Sequence, residues 1–366
     1  MKNTYPSYYK DFACIADKCP DTCCAGWQIV VDAESAAKYR CANGEIGDKL
    51  RKSMAIDDDG DTVFVSHNRR CPFLQNDNLC KIYIELGKEA LCKTCTLFPR
   101  FVTDLGGRKE TGLSLSCPEA ARLHFANDMP LTFETVEEDS PVQPNSIDPT
   151  LYFTLLKAQK TAINILQNRK YPVNRRLIAF LRFCDEVQAK IRAKDLSEIS
   201  AEEEYFLPVS ASLSKAKRAL NRYADILKTL EKLDADWNSE LNEIKILSHE
   251  KAESFAAVLL QNEYEAEHLA VYFAFRYFMT AAFDKNLASK SRFTVFSVLI
   301  CLILEASLPD FNTKSARIEA IRRYSKEIEH SAENMDAVFT AIKKSRFFGS
   351  DNLINILSCE YQPKEK

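Results

Sequence analysis

The sequence predicts a mainly α protein, in which a small, irregular α+β domain dense in cysteine is followed by an all-α helical domain. Three observations carry that prediction. Of 13 cysteines in 366 residues, ten lie between Cys14 and Cys117, and only Cys184, Cys301 and Cys359 follow. Eight of nine glycines stand at or before Gly112, leaving Gly349 alone in the rest. Past residue 150, apolar side chains recur at three- and four-residue spacing, the pattern of helices that turn one face to a core. The scarcity of glycine there agrees, because each glycine inside a helix costs ~1 kcal/mol. The expected organisation is a cysteine-rich domain over 1–128, a Pro/acidic linker over 129–150 and a helical domain over 151–366, with both domains of ordinary size.

Within the first domain, Asp32 is placed to cap a helix over 33–41, its carboxylate accepting from the first free backbone N–H groups. Residues 28–31, 62–65 and 78–84 are rich in β-branched and apolar side chains and are expected as short strands. Asp104-Leu105-Gly106-Gly107 reads as a hairpin turn leading into a strand at 111–115. Four prolines, Pro130, Pro141, Pro144 and Pro149, and the acidic stretch 134–139 mark a linker or wrapping segment. Helices are then expected over 151–167, 173–193, 214–232, 235–246, 251–283, 290–305, 315–330 and 332–344, forming a bundle or irregular array. No repeat of fixed period is evident, which argues against a solenoid.

The net charge is −3, from 49 basic and 52 acidic residues, so no electrostatic footprint for nucleic acid stands out. No G-x-G-x-x-G occurs, and a Rossmann unit needs that glycine-rich turn. The N-terminal residues MKNTYPSYYKDF lack the apolar stretch of a secretion signal. The longest uncharged run, residues 293–304, holds 12 residues, against the ~20 that span a bilayer. The expectation is a cytoplasmic chain without membrane or nucleic-acid partners. In a reducing compartment disulfides give way to metal binding or redox chemistry as the use of cysteine.

Nine of the ten early cysteines fall into compact groups: Cys14, Cys19, Cys23 and Cys24; then Cys71 and Cys80; then Cys92, Cys95 and Cys117. Short spacings let one turn present two sulfurs to a single ion, and Pro20, Pro72, Pro99 and Pro118 supply turns around them. Nine ligands exceed one four-coordinate centre and suffice for two with one left over. Of the five histidines only His67 and His124 lie in this half, neither with ligand spacing to a partner, so the donor set is all sulfur. Zinc and iron–sulfur both suit it. The adjacent pair Cys23-Cys24 tilts the reading toward an iron–sulfur cluster, because neighbouring side chains point apart and can serve different irons. Cys41 stands apart, Cys184 falls on the apolar stripe Leu177, Leu181, Cys184, Val187, Ile191, and Cys301 lies in an apolar run; these, with Cys359, are expected as packing residues.

In the helical half Tyr264, His268, Tyr272 and Arg276 recur every four residues and form a polar stripe beside an aromatic face. All neighbours of Arg276 in sequence are apolar or aromatic. A buried guanidinium without a partner costs several kcal/mol, so a carboxylate must meet it. An internal ion pair is the first reading, and a grip on an anionic ligand group is the second. These four residues are the candidates for donor or substrate binding; no catalytic residue is assigned.

Several segments together resemble a known family. Tyr9-Lys10-Asp11-Phe12-Ala13-Cys14, Cys19-Pro20-Asp21-Thr22-Cys23-Cys24-Ala25-Gly26-Trp27-Gln28-Ile29, Cys71-Pro72-Phe73-Leu74, Leu79-Cys80-Lys81-Ile82, Leu86-Gly87 and Thr94-Cys95-Thr96-Leu97-Phe98-Pro99-Arg100 are similar to bacterial flagellin lysine N-methylases with a zinc- or iron-chelating cysteine cluster. The resemblance covers residues 9–118 and, more loosely, the 269–278 segment. It implies methyl transfer from S-adenosylmethionine to lysines of flagellin, and an iron–sulfur centre, 4Fe–4S in preference to zinc. By position it points to Cys14, Cys19, Cys23, Cys24, Cys71, Cys80 and Cys95 as ligands, joined by Cys92 and Cys117. Neither a glycine-rich donor loop nor a C-x3-C-x2-C radical motif is present, since Cys24 follows Cys23 at once. The alternative reading is a non-catalytic metal-binding accessory or interaction module.

Overall fold

The structure is a computed structural model that describes residues 1–67, 69–139, 146–195, 200–207, 209–233, 237, 241, 258–259 and 261–359. As expected it is mainly helical, with a small α+β part. The N-terminal strand β1 (Lys2–Pro6) is followed by α1 (Ala33–Cys41), α2 (Gly44–Ser53), β2 (Met54–Ile56), β3 (Thr62–Phe64), α3 (Lys81–Leu86) and α4 (Lys93–Leu97). Then come β4 (Arg100–Asp104), β5 (Arg108–Leu113), α5 (Pro118–His124) and β6 (Phe133–Glu137).

Two small sheets result. β2 and β3 form an antiparallel pair, and Val30 makes a single bridge to Val63 beside it. The larger sheet has the order β4-β5-β1-β6, with β1 parallel to β5 and antiparallel to β6. The β4–β5 hairpin turns where expected, with the Asp104 side chain accepting from the Gly106 N–H at 2.9 Å. Phe101 lies opposite Gly112 in this hairpin, and a Cβ on Gly112 would come within 2.3 Å of the Phe101 ring. The glycine is therefore what lets the ring lie flat across the next strand.

The expected strand at 78–84 is instead helix α3. Cys80 makes one bridge to Leu74, and only Ile82 of the helix is buried, so no sheet edge is there to extend the segment. Residues 28–31 contribute only the Val30 bridge rather than a strand. Part of the wrapping segment 129–139 becomes β6, which closes the sheet over β1. Asp32 caps α1 as expected, accepting from Ser35 N at 3.1 Å.

The helical part comprises α6 (Pro149–Leu166), α7 (Val173–Ala193), α8 (Leu213–Thr229), α9 (Glu263–Tyr277), α10 (Ala281–Asp284), α11 (Leu287–Ser307), α12 (Lys314–Glu329), α13 (Ala332–Lys344) and α14 (Ser350–Ser358). The expected helix at 235–246 lies outside the described residues except for Trp237 and Leu241, as does most of 251–262. Asp148, Ser212, Asn286 and Ser331 accept backbone hydrogen bonds at helix starts, and Pro149 occupies a first-turn position where its missing N–H costs nothing. Every residue of α11 except Arg292 and Ser307 is buried. This helix has the length and apolar character of a membrane span, yet 94% of its apolar window is packed inside the protein, so it is a core helix. Cys184 and Cys301 are fully buried, as expected of packing residues, whereas Cys359 is half-buried and Cys41 is exposed.

Two cores are distinguishable. A small one gathers Ile29, Val31, Tyr39, Phe64, Phe73 and Ile82 with five cysteines. A large one runs from Leu105, Leu115 and Phe125 through every helix from α6 to α14. The sheet and α5 thus belong by packing to the helical array.

Candidate metal centre and adjoining aromatic pocket

The nine candidate thiols form two gatherings. Cys24, Cys71, Cys80, Cys92 and Cys95 all join the small core. The chain brings them together through backbone contacts: Cys71 N–H donates to Cys24 O at 2.8 Å, and Lys81 N–H donates to Phe73 O at 2.8 Å. Cys92 precedes the first turn of α4, where the Lys93 N–H donates to the Asp32 carboxylate at 2.8 Å, and the Thr94 hydroxyl anchors that helix to Val30 O at 2.7 Å. Cys117 sits in a separate cluster with Leu113, Ala120, Tyr8, Tyr9, Phe12 and Phe98, and the charges of Cys19 and Cys14 act on it. Cys23 lies between the two, hydrogen-bonded to Cys24 and within electrostatic reach of Cys19 and Cys80.

Cys92 Sγ and Cys95 Sγ are 3.6 Å apart. Two thiolates on one tetrahedral ion with ~2.3 Å bonds stand ~3.8 Å apart, so this pair has the span of two ligands on one zinc or one iron. The hydrogen bond with Cys95 holds the Cys92 thiol down at about 7, while Cys95 is pushed up. Burial pushes Cys71 and Cys117 up to about 11, with neighbouring thiols adding repulsion. A bound cation reverses that balance, because thiolates that repel one another are stabilised by a shared positive charge. Among the described residues no three His, Cys, Asp or Glu side chains converge as a finished cage. The donor chemistry fits a thiophilic ion, in the arrangement of reduced thiols.

The cysteine loops are fastened to the helical array. Asp21, between Cys19 and Cys23, accepts from Arg322 Nη1 at 2.6 Å and Lys326 Nζ at 2.8 Å, both on α12. Burial opposes its charge, but these cations hold its carboxyl below the usual range. Trp27 Nε1–H donates to Cys23 O at 2.7 Å, and the indole packs edgewise on His330 with centroids 5.1 Å apart. His330 Nε2 lies 2.5 Å from Ser116 Oγ and 3.2 Å from Ser114 Oγ, next to Cys117. Burial, then the charges of Arg276 and Lys326, push this imidazole down to about 3, so it is neutral.

The polar stripe of α9 is turned inward. Arg276 meets Glu329 Oε1 at 3.1 Å and donates to Tyr272 Oη at 2.6 Å. Tyr272 and Tyr277 hydroxyls also donate to Glu329, at 3.0 and 2.7 Å. Burial works against the guanidinium charge, but Glu329, Tyr272 and Tyr277 together outweigh it and raise the Arg276 pKa. The required carboxylate is therefore internal. His268 is buried, with Nδ1 3.2 Å from His124 O and Nε2 2.9 Å from Met129 O, and burial lowers its pKa. Tyr264 Oη donates to Glu265 at 3.0 Å. The acids of α9 are matched in turn: Glu265 by Arg317 at 2.8 and 2.9 Å, Glu267 by Arg169 and Arg176. Sequence reasoning missed Asp21, Glu329 and His330 as partners, because each is joined to its contacts across more than fifty residues or by burial alone.

Between α9 and the larger sheet lies a narrow pocket, with room for about one water molecule and walls of Tyr8, Phe101, Leu131, Phe133, Tyr272 and Phe275. Phe133 stacks on Phe275 with centroids 4.6 Å apart, and Phe101 meets Tyr272 edgewise at 6.0 Å. The Arg276 guanidinium covers the Phe101 ring at 4.4 Å. Of the four stripe residues only Tyr272 reaches this pocket.

A sequence profile described as the FliB lysine N-methylase C-terminal domain matches residues 159–356. The chain is 32% identical over 126 residues to the flagellar biosynthetic protein FliU of Salmonella muenchen, a span of 32% of this chain and 72% of that protein. It is 30% identical over 145 residues to proteins named lysine-N-methylase in Salmonella choleraesuis and Salmonella typhimurium, a span of 36% of this chain and 35% of theirs. The similarity thus covers about a third of the length of those two relatives. No solved structure matches this chain.

Proposed function

Because this chain belongs to the FliB lysine N-methylase family, we propose that it is a protein-lysine N-methyltransferase acting on flagellin in the cytoplasm, with S-adenosylmethionine as donor and a cysteine-ligated iron–sulfur centre. The observation that carries the reading is the profile match over 159–356, more than half of the chain. The names of the relatives, two lysine-N-methylases and one flagellar biosynthetic protein, agree with it. The thiol-only donor set supports the metal, and Cys14, Cys19, Cys23, Cys24, Cys71, Cys80, Cys92, Cys95 and Cys117 are the residues that would hold it. When bound, such a centre supplies a redox-active or Lewis-acidic ion.

The transfer itself needs a neutral amine. The lysine nitrogen lone pair forms the new N–C bond as the methyl–sulfonium bond breaks, its electrons pass to sulfur, and the methylated ammonium later releases a proton to water. At a pKa of ~10.4 only about one lysine in 2,500 is neutral at pH 7. An enzyme must lower that pKa by burial or take the proton by a base or water path.

The test is to incubate protein purified without oxygen with flagellin and S-adenosylmethionine and to map methyl mass increments on lysines. Increments that require both donor and protein are expected, and their absence would sink the enzymatic reading. Iron and acid-labile sulfide in the same preparation, with a brown absorption band, are expected for the centre; colourless protein containing zinc would replace it.

A further inference from the structure

Resting on the methyltransferase reading, we propose that β6 is an open sheet edge onto which an extended, lysine-bearing segment of the substrate protein adds as a further strand. The backbone of β6 is satisfied on one side only. In the order β4-β5-β1-β6 its strand neighbour is β1 alone. Met1 and Glu138 exchange two backbone hydrogen bonds, at 2.9 and 2.8 Å, which makes Asn3–Val136 and Tyr5–Glu134 the next bonded pairs of the antiparallel register. Phe133, Thr135 and Glu137 therefore direct their N–H and C=O groups away from β1, and no described residue bonds to those groups. Such a row of free donors and acceptors is a template for another strand. Edges are ordinarily blunted by proline, bulges or basic side chains. β6 contains no proline, glycine or basic residue and pairs with β1 without a bulge, whereas β4, at the opposite edge, starts next to Pro99 and carries Arg100.

Charge names the occupant. Glu134, Glu137, Glu138 and Asp139 crowd the edge and its end. Glu134 meets the exposed Lys10 ammonium at 2.7 Å, and Glu138 accepts from the Asn3 amide at 2.7 Å. Glu137 stands opposite Lys2 in the register, yet it and Asp139 are exposed and form no ion pair among the described residues. Carboxylates project from both faces of the strand: Glu137 shares the face of Phe133, which stacks on Phe275, while Glu134 and Glu138 share the other. Opposite charges on facing strands attract and like charges repel. This edge thus rejects a second copy of itself and draws a strand that carries lysines, the residues that the proposed reaction methylates. The docked strand holds the substrate chain, and the lysine that reacts lies in it or beside it.

Position joins the edge to the sulfur-rich region. Ser7 N–H donates to Thr132 O at 2.9 Å, at the Phe133 end of the edge. From there the chain runs through Tyr8, Tyr9 and Phe12, which pack around Cys117, to Cys14. A segment laid along β6 has one end beside the second thiol gathering.

The experiment adds three short synthetic peptides to the full-length protein: one of alternating lysine and threonine, the same peptide N-methylated along its backbone, and one with glutamate in place of lysine. The first is expected to bind and to slow amide hydrogen exchange at Thr135 and Glu137; the other two are expected to do neither. Thr135→Pro removes one outward N–H at an edge position, where proline is tolerated. It is expected to weaken the lysine peptide roughly tenfold and to raise KM for flagellin with kcat little changed, the mark of lost docking rather than lost chemistry. Glu137→Lys, which leaves the backbone intact, is expected to weaken the lysine peptide and to admit the glutamate one, and melting temperatures report whether both variants fold. Exchange unslowed at Thr135 and Glu137 in the presence of saturating lysine peptide, equal binding of the N-methylated peptide, or slowing at Val102 and Asp104 of β4 instead, would overturn the proposal even where methyl transfer proceeds. Slowed exchange at β6 in a protein that transfers no methyl to any lysine would instead remove the methyltransferase reading and leave β6 as a docking edge for basic strands.

Discussion

Glu110 sits in β5 with its carboxyl buried, one oxygen accepting from the Gln159 amide at 3.1 Å and the other 4.0 Å from Arg108 Nε. Burial pushes its pKa up to about 7, against the opposing pull of Gln159 and Arg108. The unfolded chain releases this proton near the ordinary value of ~4.3. Between those two pH values the folded state holds a proton that the unfolded state has lost, so stability falls as pH rises through the window and levels off above it. The loss amounts to roughly 3–4 kcal/mol. Glu110→Gln is expected to remove it, raising the melting temperature at pH 8 and leaving it nearly unchanged at pH 4.5. Equal shifts at both pH values would contradict this. Glu305 shows the same physics without any hydrogen-bond partner for either oxygen among the described residues, and burial pushes its pKa well above the ordinary value. At this scale the sequence told part of the story. That Arg276 requires a carboxylate follows from its apolar neighbours, but choosing Glu329 requires knowing that α9 and α12 pack together. The stripe of Tyr264, His268, Tyr272 and Arg276 was legible as a stripe; which way it faces was not.

At the scale of elements, the loop holding Cys19, Cys23 and Cys24 is tied to α12 by one carboxylate. Asp21 is a quarter exposed, while its partner Arg322 is 9% exposed. Allowing for solvent screening, Asp21→Ala is expected to cost about 1–2 kcal/mol. Its signature is local: amide hydrogen exchange should quicken over residues 14–27, with α12 still protected, because Arg322 keeps Glu319 at 2.5 Å. Exchange that quickens equally along α12 would show that Asp21 serves the helix rather than the loop. Helix boundaries such as those of α7 and α13 are readable because their apolar period runs unbroken between local capping or turn residues. α3 was misread as a strand because six residues with two isoleucines fit either period, and only the absence of a neighbouring edge decides. β1 and β6 were unreadable for a different reason. Lys2 pairs with Glu137, a contact across 135 residues that no local pattern encodes.

For the whole molecule, the two cores differ in what holds them. The large one buries most of the helical array, whereas the small one has few apolar residues and counts Cys71 and Cys92 among its buried members. Small cores lean on staples, and here sulfur–metal bonds would serve. Stripping metal with a chelator is therefore expected to lower the unfolding temperature of the 24–95 region and to split calorimetric unfolding into two transitions, with the helical transition little moved. A single unshifted transition would show that the small core stands without metal. The division into unlike halves was legible from the cysteine and glycine skew. The attachment of residues 100–137 to the helical side was not, because it depends on the sheet packing against α9.

The placement of β1 inside the sheet has a consequence during synthesis. Its neighbours β5 and β6 are translated more than a hundred residues later, and at 5–20 residues per second the first strand waits on the order of 10 s before its sheet can close. Over that interval the early cysteines emerge one after another while the sheet beside Cys117 and the neighbouring tyrosines is still incomplete. The nascent chain thus passes through a stage at which its thiols are accessible to delivery of metal and equally to oxidation, and the order of translation, as much as the final fold, favours assembly under reducing conditions.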